Sequence, residues 1–443
     1  MSTMTIAWLV IYFSSWVASA FNPLFGLLGY LFEYYLRPSL HWWGQGLPDF
    51  RWNFAIALVL IVTFVLRRSS LPELKHVTNP ALKWILPLAA LTLLVTPIAA
   101  DIDRSFAKSV EFQKIVVIYM LIIGVVRSRR AFDAVAAIHM AGAGWWGYEQ
   151  WLDPKRVASR LDHVGSADTL GDNEAAAHLL TVLPLIFVYL LAIKDKRLRL
   201  LALTTAPFVV NLFILCNSRG GTVGLVVGAL AALLLAKKGH RLRMIAALPV
   251  ITIAFFALAD PEFISRQQTT TNYDEQGTAV ERFESWQGGL SLIRDHPFGA
   301  GGDGYEVLSS EYIPAVVARN QGEERAPHNT FVLVTADWGV LGLICYLGLI
   351  GSTFLMLHKV RRSSIGDDSM FYRALALQVG LIATLTASTF SDRLYGESFY
   401  WMCALAVALY RIQHSLPATS TASQPESRPG ALPVSFRWGA EHA

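Results

Sequence analysis

Apolar residues in this chain fall in continuous runs of roughly 17 to 25, the length a helix needs to cross about 30 Å of hydrocarbon, and short charged links separate them. Runs begin near Trp8, Phe54, Leu82, Val110, Ala131, Ala175, Leu200, Thr222, Met244, Val332, Tyr372 and Phe399, and a shorter one spans Pro23 to Leu36. This pattern predicts about 12 or 13 membrane-spanning helices. Strands are not expected, because the runs do not alternate and an open sheet edge cannot face lipid. The long polar interruption from Pro261 to His328 predicts one large, partly helical extramembrane loop. The fold class is therefore an all-α polytopic membrane protein. It divides into N-terminal membrane helices (1–259), the large loop (260–328), C-terminal membrane helices (329–411) and a tail (412–443).

Composition agrees with the pattern: of 443 residues, 53% are hydrophobic and only 16% charged, far from a soluble domain of this length. The first segment lacks a basic start and a small-residue cleavage site, so it is expected to remain as a helix. Cys216, Cys345 and Cys403 lie in or at the ends of apolar runs without paired spacing, which argues for packing rather than a zinc site or a disulfide framework. No nucleic-acid-binding pattern and no metal-ligand spacing is read.

The net charge of +4 matters less than where the cations sit. Basic clusters recur in alternate links: Arg67, Arg68 and Lys75; Arg127, Arg129 and Arg130; Lys194, Lys196, Arg197 and Arg199; Lys237, Lys238, Arg241 and Arg243; Lys359, Arg361 and Arg362. The positive-inside rule makes these cytoplasmic. The links 37–51, 101–108, 151–173, 217–221, 261–328 and 391–397 then face the opposite side, the periplasm of a Gram-negative cell. The Ser-, Pro-, Thr- and Ala-rich tail after Gln413 is expected to be a disordered cytoplasmic end. Trp42, Trp43, Trp52, Trp145, Trp146, Tyr148 and Trp151 crowd the span ends and read as an interfacial aromatic belt.

Within the large loop, TAVERFESWQGGLSLI predicts an amphipathic helix, because Val280, Phe283, Trp286, Leu290 and Ile293 recur at helical spacing. It is expected to lie on the membrane surface or over a cavity. Pro297 ends it, and Gly299, Gly301, Gly302 and Gly304 follow within DHPFGAGGDGYEVL. Two readings stand for these glycines: a phosphate cradle, for which there is neither a Walker pattern nor a preceding strand, or a turn re-entering the bundle. A second short helix is expected over Tyr305–Val317.

Three residues carry candidate chemistry. Arg219, in CNSRGGTVGLVVG, stands between two apolar runs, at a depth where an arginine needs a wet cavity, an anion or a route to the surface. Gly220, Gly221, Gly224 and Gly228 beyond it would let another helix approach closely. Arg282 lies on the polar side of the loop helix, one turn before Trp286. His328 opens HNTFVLVTADWGVLGLI where the loop meets the membrane, and an ordinary imidazole accepts a proton from an attacking hydroxyl near neutral pH. Two guanidinium groups suit a diphosphate, and a neutral base beside them suits activation of a hydroxyl.

SRGG at the outer end of one span, ERFESWQGGLSLIRDHPFGAGGDGY in the loop and HNTFVLVTADWGVLG opening the next span together resemble the O-antigen ligase and polymerase superfamily. The resemblance runs from about Arg160 to Tyr346. It implies a metal-independent glycosyltransferase of the inner membrane, with no cofactor. Such an enzyme takes a glycan from undecaprenyl diphosphate on the periplasmic face and passes it to a hydroxyl, on the lipid A core in lipopolysaccharide-building ligases. Carried over, Arg219 and Arg282 bind the diphosphate and stabilise its charge as the anomeric bond breaks, and His328 acts as, or orients, the base. Arg160 and Asn173 resemble an outer-loop segment where relatives carry an arginine and a Pro-Asn pair; here Asp172 stands in the proline's place. Arg294 is a third cation on the loop helix, and Trp286 and Asn329 complete the candidate substrate-binding set. Asp162, Asp172, Glu174 and Asp392 read as polar lining or structural residues.

Several activities remain open on this reading: ligase, repeat-unit polymerase of O-antigen or exopolysaccharide, and protein O-oligosaccharyltransferase. A transporter of lipid-linked glycans is the competing class. Against it weigh the scarcity of charge in mid-span and of broken helices in matching halves.

Overall fold

The computed structural model describes residues 2–48, 50–74, 78–154, 156–157, 160–161, 164–169, 171–242, 244–246, 264 and 277–415. The loop stretch SRQQTTTNYDEQG, most of the run beginning near Met244, Asp162 and the tail beyond Ser415 lie outside the described residues.

The apolar runs become helices: α1 (Thr3–Ser19), α2 (Pro23–Tyr35), α3 (Trp52–Arg67), α4 (Leu82–Val95), α5 (Ile102–Val125), α6 (Arg129–Leu152), α7 (Asp172–Leu191), α8 (Lys196–Leu215) and α9 (Arg219–Leu235). After them come α10 (Gly277–Asp295) in the loop, then α11 (Thr330–Ser363), α12 (Asp368–Ala387) and α13 (Glu397–Ser415). The last continues three residues beyond the expected start of the tail. Local chemistry sets the starts. Asn22 caps α2 by accepting from the Leu24 N–H, with Pro23 in the first helical position. Asp101, Ser128 and Asn329 cap α5, α6 and α11 in the same way.

Five stretches are long and apolar enough to cross a membrane: Trp52–Ser70, Asp172–Leu191, Lys196–Leu215, Thr330–Ser363 and Asp368–Ala387. Thr3–Ser19, Leu82–Ile98 and Arg219–Leu235 are shorter apolar helices. The protein is thus an all-α polytopic membrane protein. The described strands are a two-residue antiparallel ladder, Arg156–Val157 against Arg160–Leu161.

Helix α12 packs against both α9 and α7, and small residues let it do so. A Cβ on Gly224 would stand 2.5 Å from the Ala383 carbonyl oxygen, and one on Gly228 would stand 2.9 Å from the Ala383 Cβ. The three cysteines are free, with Cys216 and Cys403 buried, as packing residues are. The aromatic belt is only partly one: Trp42 and Trp151 are exposed, but Trp43 and Trp146 are buried, and Trp146 donates its indole N–H to the Tyr35 carbonyl at 2.7 Å.

Links assigned to the same side of the membrane meet at the same end of the bundle. At one end Arg104 reaches Asp303, Glu306 and Glu324, the Ala100 N–H donates to the Ala300 carbonyl, and His41 meets Glu149. At the other, Arg129 pairs with Asp367, Lys237 with Asp368, and Arg361 donates to the Leu235 carbonyl.

Two expectations change. The second loop helix is three short pieces, Gly304–Val307, Ser309–Tyr312 and Pro314–Arg319. Ile313 stands at φ −136°, ψ 49°, because the proline ring after it disfavours helical backbone. And α11 is broken: Gly339 has φ +71°, ψ −178° inside it, beside the fully buried Asp337.

The glycine turn repairs that break. Ala300 and Gly301 donate their N–H groups to the carbonyls of Ala336 and Asp337, each at 2.8–2.9 Å, and Val340 donates to the Pro297 carbonyl at 3.1 Å. The Gly302 N–H goes to Ser105 Oγ, and that of Gly304 to the Gly301 carbonyl. These amides are committed to the protein, so the segment is a turn re-entering the bundle and not a phosphate cradle. The positive φ of Gly299 (+96°) and Gly301 (+88°) is what permits the approach.

Candidate functional site

The site forms around the short connection between α12 and α13, where Thr330 at the start of α11 is knitted in. Its N–H donates to the Ser388 carbonyl, its hydroxyl to the Ser391 carbonyl, and it accepts from the Arg393 N–H at 2.8 Å. That fixes Phe390, Asp392 and Arg393 beside the mouth of α11.

Asp392 holds His328 and Asn329 through three contacts. The His328 backbone N–H donates to Asp392 Oδ2 at 3.1 Å, the Asn329 N–H donates to Oδ1 at 3.0 Å, and the imidazole Nδ1 lies 3.3 Å from Oδ2. His328 adopts φ +50°, a left-handed conformation that a side chain rarely takes without such restraint. Its side chain stays 44% exposed, against 19% for Asp392, so the ring is both anchored and accessible. Asn329 turns its side-chain oxygen inward to cap α11, accepting from Phe331 and Val332. Trp286 donates its indole N–H to the Pro327 carbonyl at 3.1 Å, tying the loop helix to the same segment.

Phe390 lies beside Arg282 and beside the residue that follows Arg219. The Arg282 guanidinium carbon lies 6.0 Å from the centre of its ring. Gly220 also packs against it: an added Cβ there would come within 2.8 Å of the Phe390 Cβ. Arg219 is thereby placed at the first position of α9, half-buried, with Ser218 before it as cap. Ser218 Oγ donates to Asn173 Oδ1 at 2.7 Å, so Asn173 holds the SRGG turn against the start of α7.

The structure thus brings Arg219, Arg282, His328, Asn329, Trp286 and Asn173 around one connection. Asn329, Trp286 and Asn173 serve there as backbone or turn anchors. Arg294 is exposed at the far end of α10, about 18 Å along the helix from Arg282 at 1.5 Å per residue. Arg160 lies in the small ladder, opposite Val157, and only its backbone is described.

Asp392, read from the sequence as polar lining or a structural residue, anchors this segment, whereas Phe390 and Arg393 are not singled out by the sequence. Arg393 is buried, donates to the Asp168 carbonyl, and lies 3.5 Å from the Asp168 carboxylate. Asp168 also accepts from the Tyr34 hydroxyl at 2.6 Å and the Glu397 N–H at 3.0 Å. Tyr305, under the loop, is pushed above its ordinary pKa mainly by burial, and its hydroxyl donates to the Ser285 carbonyl at 2.6 Å. Among the described residues no three His, Cys, Asp or Glu side chains are grouped as metal ligands.

A polytopic helical membrane protein with two arginines and an anchored histidine at one end of its bundle is the class that fold and site define. Residues 204–347 match the family model described as O-antigen ligase, a segment that contains Arg219, Arg282 and His328. The match supports the resemblance to the O-antigen ligase superfamily and a ligase- or polymerase-type function in general. No curated protein matches the chain.

Proposed function

We propose that this chain is an O-antigen ligase-like glycosyltransferase. It moves a glycan from undecaprenyl diphosphate to a hydroxyl of an acceptor, the lipid A core, at the periplasmic face of the inner membrane. The observation that carries the reading is the arrangement around one short connection: Arg282 stacked near Phe390, Gly220 beside Arg219 against the same ring, and His328 held by Asp392 two residues on.

The chemistry follows from the charges. An acceptor O–H attacks the anomeric carbon, the bond from that carbon to the diphosphate oxygen breaks, and undecaprenyl diphosphate leaves with the electron pair. Arg219 and Arg282 stabilise the charge that grows on the leaving diphosphate, which is worth more in a partly desolvated site than in water. His328 takes the acceptor's proton. With Nδ1 turned toward the Asp392 carboxylate 3.3 Å away, Nε2 is the ring nitrogen left for the acceptor. Undecaprenyl diphosphate is already a good leaving group, so positioning and charge stabilisation matter more than a strong acid.

The test uses purified protein in detergent with lipid-linked glycan and lipid A core. Covalent product without a sealed compartment is expected, and its absence alongside vesicle transport of the lipid would replace the enzyme by a transporter. Extension of the lipid-linked chain in place of transfer to the core would make it a polymerase. For His328→Ala, donor binding should persist while turnover falls roughly a hundredfold, the usual scale for losing a general base. Full turnover in that variant would remove the base assignment.

A further inference from the structure

At the opposite end of the bundle, three guanidinium groups from three elements line a cavity of about 500 Å³: Arg68 just after α3, Arg127 between α5 and α6, and Arg411 near the end of α13. Helix α13 starts at the site end, so Arg411 stands about 21 Å along it from Glu397. Two of the side chains are aimed by backbone carbonyls. Arg127 donates to Gly124 at 2.7 Å and Pro72 at 3.3 Å, and Arg411 to Ile123 at 3.2 Å.

Two other cations at this end have carboxylate partners, Arg129 with Asp367 and Lys237 with Asp368. Among the described residues, Arg68, Arg127 and Arg411 form no ion pair; Glu73 is the one acidic lining residue. Burial, and then the nearness of Arg411 and Arg68, hold the Arg127 guanidinium below its ordinary pKa. Like charges gathered this way repel unless an anion enters. Val65, 66% exposed at the cavity's edge, continues the apolar outer face of α3, with Leu66 at 72% beside it.

We propose that this cavity binds the phosphate of an anionic phospholipid headgroup, with its acyl chains lying along the exposed face of α3. Three arginine forks supply charge and donors for a phosphodiester, and the adjoining apolar helix face supplies what a soluble phosphate would not use. The inference rests on the membrane-spanning fold and is independent of the glycosyl-transfer reading.

Native mass spectrometry of the full chain in detergent, titrated with phosphatidylglycerol and with phosphatidylcholine, tests it. Phosphatidylglycerol is expected to be retained at least about tenfold more strongly, with each arginine replaced by glutamine weakening it about fivefold. Arg127→Gln/Arg411→Gln should abolish the preference. Should that double variant fail to fold, Arg68→Gln, at an exposed side chain, carries the test alone. Glu73→Gln, which removes the opposing charge, should tighten binding. Millimolar inorganic phosphate should leave the lipid bound. Equal retention of the two lipids, unchanged binding in Arg68→Gln, or displacement by inorganic phosphate would each overturn the proposal, the last in favour of a soluble anion.

Discussion

The backbone of His328 separates two roles that one substitution would otherwise confuse. At φ +50° a non-glycine residue costs roughly 1–2 kcal/mol, so His328→Gly removes the ring while relieving the conformation. That variant should stay within about 1 kcal/mol of the parent in stability and still lose about a hundredfold in turnover. A large stability loss would instead make the imidazole chiefly a structural group. Asp392→Asn tests the anchor. An amide offers one oxygen where two N–H groups need acceptors, so unfolding in detergent should come about 1–3 kcal/mol easier. Turnover should fall while donor binding holds, since the proposed diphosphate contacts, Arg219 and Arg282, are left intact. The place of His328 at the start of an apolar run was legible from the sequence. Its carboxylate partner was not, because Asp392 stands 64 residues away and nothing local marks it.

Among the elements, the turn Pro297–Gly304 and helix α11 depend on each other. An added Cβ on Gly299 would lie 2.4 Å from the Asp337 carbonyl oxygen and 2.6 Å from the Gly339 nitrogen, at a φ that side chains avoid. Gly299→Ala is therefore expected to cost at least about 2 kcal/mol, read as a lowered unfolding midpoint in detergent. Gly351→Ala is the control: it lies in the same helix with nothing within 4 Å, and it should be neutral or slightly stabilising. Helix existence was readable because hydrophobicity is local. The break was not, since HNTFVLVTADWGVLGLI looks like one uninterrupted run until another segment supplies amides to its open carbonyls. The loop helix illustrates a different limit. Its expected apolar stripe is present, but Val280, Phe283 and Leu290 face outward while Ser285, Gly288, Gly289 and Leu292 pack inward. Spacing identified the stripe but not which side the protein would cover.

Across the whole molecule, the N-terminal helices reach the site although the family match begins only at residue 204. Tyr34 on α2 holds Asp168, Asp168 holds the buried Arg393, and Arg393 follows Asp392 in the connection that anchors His328. Asp168→Ala would leave the 4%-exposed guanidinium uncompensated, a loss expected to reach about 3–5 kcal/mol, measured as the unfolding midpoint. Tyr34→Phe keeps the ion pair and removes the hydroxyl's bond to Asp168 and its longer one to His178 Nδ1, so about 1 kcal/mol is expected. Alternating basic links, read along the chain, anticipated which connections would share an end of the bundle. Long-range polar ties such as this one carry no periodic signal and were invisible to the same reading.

The mended break in α11 also limits how this protein can be recombined with its relatives. Residues 297–304 and 336–340 exchange main-chain partners that neither segment can find alone. A chimera that imports a foreign loop but keeps its own helix would strand carbonyls in an apolar interior. Swaps should therefore travel as a single cassette from the loop helix through Val340, and crossovers drawn inside it should yield protein that fails to accumulate in the membrane.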